Sequence, residues 1–198
     1  MKPNKYTHVI EKIKNHIKPD AVIISIAAGL SMEKIESFFG KDIKLIRVMP
    51  NTPALVSQAM SAICKNKFVS DNEIDEVLEI FQAFGKTELV EERLMDVVTG
   101  VSGSSPAYVY MFIEALADGA VLQGMPRDKA YKMAAQSVLG SAKMVLETGK
   151  HPGQLKDEVC SPGGTTIEAV YSLEKNNFRA AVIEAVNVCT EKSKNMGK

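Results

Sequence analysis

The 198-residue chain has no tryptophan, three cysteines and no excess of charge: Lys plus Arg number 24, as do Asp plus Glu. With no long block of one sign, the surface lacks the footprint that a phosphate backbone or an anionic membrane would need. Small-molecule and protein partners remain, with no nucleic acid and no membrane expected. Cys64, Cys160 and Cys189 are odd in number, far apart and in no C-x-x-C spacing. That argues against a disulfide framework and a thiolate metal site, and fits a reducing cytoplasm. Cys160 precedes a glycine-rich segment, but no histidine sits in a recognisable partner motif for a thiolate nucleophile. Met1 to Lys18 is lysine-rich and amphipathic without a continuous apolar core, unlike a secretory signal. The longest apolar stretch, Pro106 to Gln123, would span about 27 Å as a helix. Glu114 and Asp118 interrupt it, and each would cost roughly 2.5–3.5 kcal/mol at mid-membrane. A soluble helix buried in a core or a dimer interface, with both acids on one polar edge, is the expectation.

What the chain does contain is 45% hydrophobic residues, over a length that suffices for one or two domains with their own cores. Tyr6, Val9, Ile10, Ile13 and Ile17 fall at helical spacing, and Lys18-Pro19-Asp20 ends that run. Ala21 to Ala28 is continuously apolar, the mark of a strand covered on both faces. Ser31 can cap a short helix that Gly40 closes, and Ile43 to Met49 and Ala59 to Cys64 read as further strands. Ser70 or Asp71 caps a helix through Phe84, and Lys86 to Val90 reads as a strand. This alternation predicts an open α/β sheet. Beyond Leu94 only helical patterns remain: Pro106 with Ser105 as its cap, Pro126 to Gly149, a short turn near Gln154, and a last helix with Phe178, Val182 and Val186. A boundary is expected near residues 92–95, giving a sheet domain over 1–93 and a helical domain over 94–198.

Ser161-Pro162-Gly163-Gly164-Thr165-Thr166, running into Ile167, Val170 and Tyr171, carries the chemistry. Two glycines let the backbone curl with its N–H groups outward. The helix that follows leaves its first four N–H groups unpaired and positive, so a carboxylate or phosphate fits without a cationic side chain. The plain alternative is a glycine-rich turn with Thr165 as N-cap, a common arrangement.

The loop has company. His151-Pro152-Gly153-Gln154-Leu155-Lys156-Asp157, Val159 and Ser161 to Thr166 together resemble the signature of the pyrroline-5-carboxylate reductases. Ser25-Ile26-Ala27-Ala28-Gly29, Arg47-Val48-Met49-Pro50-Asn51-Thr52-Pro53 and Thr99-Gly100-Val101-Ser102-Gly103-Ser104-Ser105-Pro106-Ala107-Tyr108 follow that family's order and approximate spacing. The resemblance covers nearly all of the chain. It implies part of a Rossmann-type parallel sheet domain followed by a helical dimerisation and substrate domain, in a cytoplasmic homodimer or larger homo-oligomer of proline biosynthesis. It also implies NADP or NAD as cofactor, with Lys2, Pro3, Ala27, Ala28, Asn51 and Thr52 bordering the nicotinamide. The backbone of Gly163, Gly164, Thr165 and Thr166 would then hold the substrate carboxylate, Val159 would line the pocket, and the Thr166 hydroxyl would meet the ring nitrogen as the catalytic group. Without the resemblance, Asn51-Thr52-Pro53 is an ordinary Asx-type turn.

The sequence departs from the family in two places. Ser105 stands where a second glycine is common, which a cap before Pro106 tolerates. No G-x-G-x-x-G turn, the usual pyrophosphate cradle, occurs in the 198 residues. Met1-Lys2-Pro3-Asn4 matches a Val-Lys-Pro segment that follows the first strands, so the chain is expected to start inside its nucleotide domain and to be weakly active or inactive. The strand Ala21 to Ala28 would then show a bare edge. A noncatalytic oligomerisation or carboxylate-binding module is the alternative. A 3-hydroxyacid dehydrogenase relative would need a helix-borne lysine, and Ser102 to Met111 contains none.

Overall fold

The computed structural model of the chain describes residues 6–196. It divides into two compact units, one formed by residues 6–106 with 184–196 and one by residues 107–183.

The first unit is built on a four-stranded sheet in the order β1-β2-β3-β4, comprising β1 (Val22–Ser25), β2 (Lys44–Met49), β3 (Ala59–Lys65) and β4 (Gly85–Leu89). β1 and β2 are parallel, as are β3 and β4, but β2 and β3 pair antiparallel. The sheet is therefore mostly parallel, with one reversal that strand composition does not reveal. The segment between β2 and β3 is too short for the crossover that a parallel pair requires, and it turns through the 3₁₀ segment Thr52–Val56 instead.

Both sheet faces are covered, which is why β2 and β3 read as continuous apolar runs. Leu45, Ala62 and Cys64 pack with Tyr6 and Ile10 of α1 (Tyr6–Ile13), with Met32, Ile35 and Phe39 of α2 (Met32–Phe39) and with Met95. Ile46, Val48 and Ile63 point to the opposite face against Ile74 and Val77 of α3 (Asp71–Gln82). This one-in, one-out alternation across a two-sided core is the period of a strand. β1 and β4 are the sheet edges, and Ile24 within β1 and Ile26 just past it are exposed.

The helix ends follow local chemistry. Ser31 caps α2 by accepting from the Lys34 N–H, and Gly40 ends it in the left-handed region. Ser70 and Glu73 form a reciprocal capping box on α3, an arrangement whose N-cap contributes about 1 kcal/mol. After β4 the chain is helical: a 3₁₀ turn Glu92–Leu94, α4 (Met95–Val98) and a π turn Thr99–Gly103. α5 (Ser105–Leu122) follows at once, so Ser105 lies within the helix rather than capping it. The end of α9 (Phe178–Met196) returns to this unit. A Cβ on Gly100 would lie 2.9 Å from the Val186 carbonyl oxygen and 2.7 Å from the Thr190 hydroxyl, so only glycine lets the π turn approach α9 so closely.

The second unit contains most of α5, then α6 (Arg127–Thr148), α7 (Pro152–Val159), α8 (Thr165–Lys175) and the start of α9. Its buried apolar residues, among those described, are three alanines: Ala117, Ala130 and Ala134. Met111, Phe112, Leu116, Leu122, Leu139, Leu146, Tyr171 and Ile183 all stay exposed. The burial expected for Pro106 to Gln123 is thus not achieved within one chain. None of the described helices is long and apolar enough to cross a membrane.

Candidate active site

Ser161 to Gly164 form a tight turn closed by the Gly164 N–H donating to the Ser161 carbonyl at 3.0 Å. Gly163 sits at φ +67, in the region that side chains disfavour. Gly164 is extended, but a Cβ there would lie 2.3 Å from the Ser161 hydroxyl oxygen. Gly163 is thus needed for its backbone angle, whereas a side chain at Gly164 would oblige the Ser161 hydroxyl to rotate away. α8 begins directly afterwards with Gly164 as its N-cap and no side-chain cap. This corrects the reading of Thr165 as the cap: Thr165 is already the first helical residue. The side chains of Ser31, Ser70 and His151 close the starts of α2, α3 and α7. At α8, as at α6, the first-turn N–H groups have no such partner, and at α8 they form the positive end of an eleven-residue helix. Thr166 is half-buried in that first turn, and its hydroxyl bonds to no other described residue.

α7 delivers the chain to this turn. The His151 side chain caps it through Nδ1, which accepts from the Gly153 N–H at 3.0 Å. Histidine is an unusual cap, so composition gave no hint of this role. Val159, the last residue of α7, is exposed and borders a cavity of about 380 Å³ with Ser141, Met144, Val145 and Leu155. Val159, Gly163, Gly164, Thr165 and Thr166 therefore lie on one continuous stretch of the second unit.

The residues expected to border a nicotinamide belong to the first unit. Lys2 and Pro3 lie outside the described residues. Ala27 is buried and Ala28 half-buried just past β1, while Asn51 and Thr52 follow β2. β1 and β2 are neighbouring parallel strands with Ser25 opposite Arg47, so both pairs emerge at the same sheet end. That end is where open α/β sheets bind ligands. The small side chains at Ala27 and Ala28 leave room for a flat ring. Asn51 is already engaged: its Oδ1 accepts from the Met60 N–H at 3.0 Å and its Nδ2 donates to the Ser102 carbonyl at 3.2 Å. One amide hydrogen and one lone pair remain for a ligand.

Sequence reasoning missed a bracket beside these residues. Arg47 is buried on β2 and its guanidinium meets the Glu92 carboxylate at 2.6 Å, while the same Glu92 oxygen accepts from the Met32 N–H at the start of α2. The first N–H of α2 is thus held by this chain's own carboxylate. Cys64, next to Arg47, is held as a thiol: burial pushes its pKa up to about 11, against the opposing pull of the guanidinium. No group of three or more His, Cys, Asp or Glu among the described residues could hold a metal ion.

Residues 92–196 match the family described as pyrroline-5-carboxylate reductase dimerisation. The pyrroline-5-carboxylate reductase of Escherichia coli (strain K12) is 55% identical over 198 residues, covering 100% of this chain and 74% of the relative. That of Methanosarcina acetivorans is 48% identical, covering 100% of this chain and 73% of its own length. The crystal structure of Plasmodium falciparum pyrroline carboxylate reductase with NADP bound superposes with a TM-score of 0.94 at 40% identity, over 100% of this chain and 79% of that one. With the strand order, the helical second half and the glycine turn all accounted for, the chain belongs to the pyrroline-5-carboxylate reductase family.

Proposed function

We propose that the chain acts in the reduction of 1-pyrroline-5-carboxylate to L-proline with NADPH or NADH. One observation carries the reading: an α-helix opens on Gly164 without a side-chain cap, immediately beside a Thr166 hydroxyl with no partner among the described residues. The substrate is a cyclic imine with a carboxylate. The backbone N–H groups of Thr165 and Thr166, following the bend at Gly163, hold that carboxylate, while the Gly164 N–H, expected to join them, is spent on the Ser161 carbonyl. Each such charge-assisted bond contributes about 1.5–3 kcal/mol, so a few suffice for micromolar to millimolar affinity. Thr166, the catalytic group, hydrogen-bonds the ring nitrogen and fixes the face of the C=N bond, and Val159 lines the pocket.

The bound dinucleotide supplies the hydride. Ala27, Ala28, Asn51 and Thr52 border its nicotinamide side. When the imine nitrogen already carries its proton, delivery of one hydride to the ring carbon completes the reduction. No base has to remove a proton, unlike alcohol oxidation. A site made of peptide amides and one hydroxyl is adequate for that step, because positioning two reactants is most of the work.

In this reading residues 1–93 belong to the dinucleotide part, and 94–198 to a helical part that dimerises and binds substrate. The exposed apolar faces of α5, α6, α8 and α9 support a homodimer or larger homo-oligomer, and the reducing conditions suited to three free cysteines support the cytoplasm.

The test follows NADPH oxidation at 340 nm with pyrroline-5-carboxylate, alongside calorimetric titration with L-proline. Slow substrate-dependent oxidation that falls at least tenfold in Thr166→Ala, with the thermal midpoint unchanged, is expected. Proline binding without any oxidation would favour a noncatalytic carboxylate-binding module. Neither signal would overturn the reading.

A further inference from the structure

The cap on α7 is the one helix start in the described chain closed by an imidazole side chain. His151 Nδ1 accepts the Gly153 N–H at 3.0 Å. That bond exists only while Nδ1 carries a lone pair. Protonation turns both ring nitrogens into donors and places a cation at the positive end of the helix, so the same event removes the cap and adds repulsion. Gly153 is part of the device. A Cβ at that position would stand 3.0 Å from Nδ1 and 3.3 Å from Cε1, so a side chain would crowd the imidazole.

We propose that His151 is a pH-sensitive positioning residue for the Cys160–Thr166 loop: its neutral imidazole fixes α7, and protonation releases the first turn of α7 and with it the loop. α7 has only eight residues and passes through Cys160 straight into the turn at Ser161. A helix this short depends on its ends, because few internal bonds offset the cost of its nucleus. The charged groups around it pair with one another. Lys150 bridges to Glu158, Lys156 to Asp157, and on the adjoining α6 Lys143 to Glu147. Arg179 at the start of α9 opposes the charge of Lys156 and is bonded to Glu174. The carboxylates therefore have cationic partners of their own. The consequence for ligand binding rests on the carboxylate reading of the loop given above, whereas the consequence for the backbone does not.

The test uses the full 198-residue chain as wild type, His151→Asn and His151→Ala, between about pH 8 and pH 5, the range in which histidines titrate. Hydrogen exchange corrected for intrinsic rates reports the amides of residues 153–155 and 163–167, and calorimetry reports affinity for L-proline, whose own charges do not change in that window. Asparagine is a good cap that does not titrate. Protection of both segments should fall about fivefold on acidification in wild type, the equivalent of one lost cap, stay level in His151→Asn, and be low throughout in His151→Ala. Proline affinity should follow protection. Should His151→Ala not fold, the contrast between wild type and His151→Asn still decides. Protection independent of pH in wild type, or an equal loss in His151→Asn, would overturn the proposal. So would proline affinity that holds steady in wild type while protection falls. If protection behaves as stated but proline binds at neither pH, the cap is upheld and the carboxylate reading of the loop is what fails.

Discussion

Asn51 donates its side-chain amide to the carbonyl of Ser102 across 51 positions of sequence, at 3.2 Å. Its other end accepts from the Met60 N–H, so one carboxamide at the end of β2 ties the start of β3 to the π turn. Replacing it with alanine removes both bonds and leaves a backbone N–H and a carbonyl to find new partners. Asn51→Ala should cost about 1–3 kcal/mol in urea unfolding. Asn51→Asp, which keeps the Met60 bond but turns an acceptor toward the Ser102 carbonyl, should not recover that loss. A midpoint matching wild type in Asn51→Ala would show that the bracket is not made in solution.

The turn before α8 gives a sharper expectation. A methyl at Gly164 would meet the Ser161 hydroxyl at 2.3 Å, and the Ser161 carbonyl oxygen at 3.2 Å. Gly164→Ala should weaken L-proline binding at least tenfold while shifting the unfolding midpoint little, since the loop is largely exposed. Adding Ser161→Gly should restore part of the affinity, because it removes the nearer clash and leaves the farther one. Additive losses in the double variant, measured by calorimetry, would contradict the packing account.

Much of the fold was legible because local chemistry and burial agree. Ser70 before α3, and Gly40 and Gly149 at helix ends, are signals that the structure uses directly. The reversal between β2 and β3 was not legible, because strands covered on both faces carry no alternation that betrays direction. The first strand is shorter than its apolar run: β1 ends at Ser25, since Ala27 to Gly29 turn away at the sheet's ligand end and Gly29 takes φ +72. Thr165 looked like a cap because threonine often is one, but the extended backbone at Gly164 (φ −82, ψ 171) already occupies that position. His151 and Glu92 escaped notice because their partners are set by the turn and by tertiary contact, not by sequence spacing.

Glu73 makes the capping box depend on pH. A hydrogen bond from Lys44, and then those from Ser70, hold its pKa down at about 2, below the ordinary 4.5. A depressed carboxylate contributes stability that is complete above its unfolded pKa and is lost as pH falls through the folded one. The advantage of wild type over Glu73→Gln should therefore be constant above about pH 5 and fade between about pH 4.5 and 2, as read by urea unfolding at stepped pH. An advantage that persists unchanged at pH 2 would remove Glu73 ionisation from the account.

The second unit buries three alanines and leaves Met111, Leu122, Leu146 and Ile183 more than 65% exposed. Apolar area of that extent calls for a partner surface. Light scattering should give at least twice the 21.6 kDa of one chain. A monomer at micromolar concentration would contradict the assembly, and with it the notion that these helices share a core between copies.

Peptide amides at the start of α8 are proposed to grip a carboxylate, and crystals grown with L-proline show whether they do. The proline carboxylate is expected within hydrogen-bonding distance of the N–H groups of Thr165 and Thr166, with its ring nitrogen facing the Thr166 hydroxyl. Proline bound elsewhere, with the Ser161–Gly164 turn left bare, would contradict it.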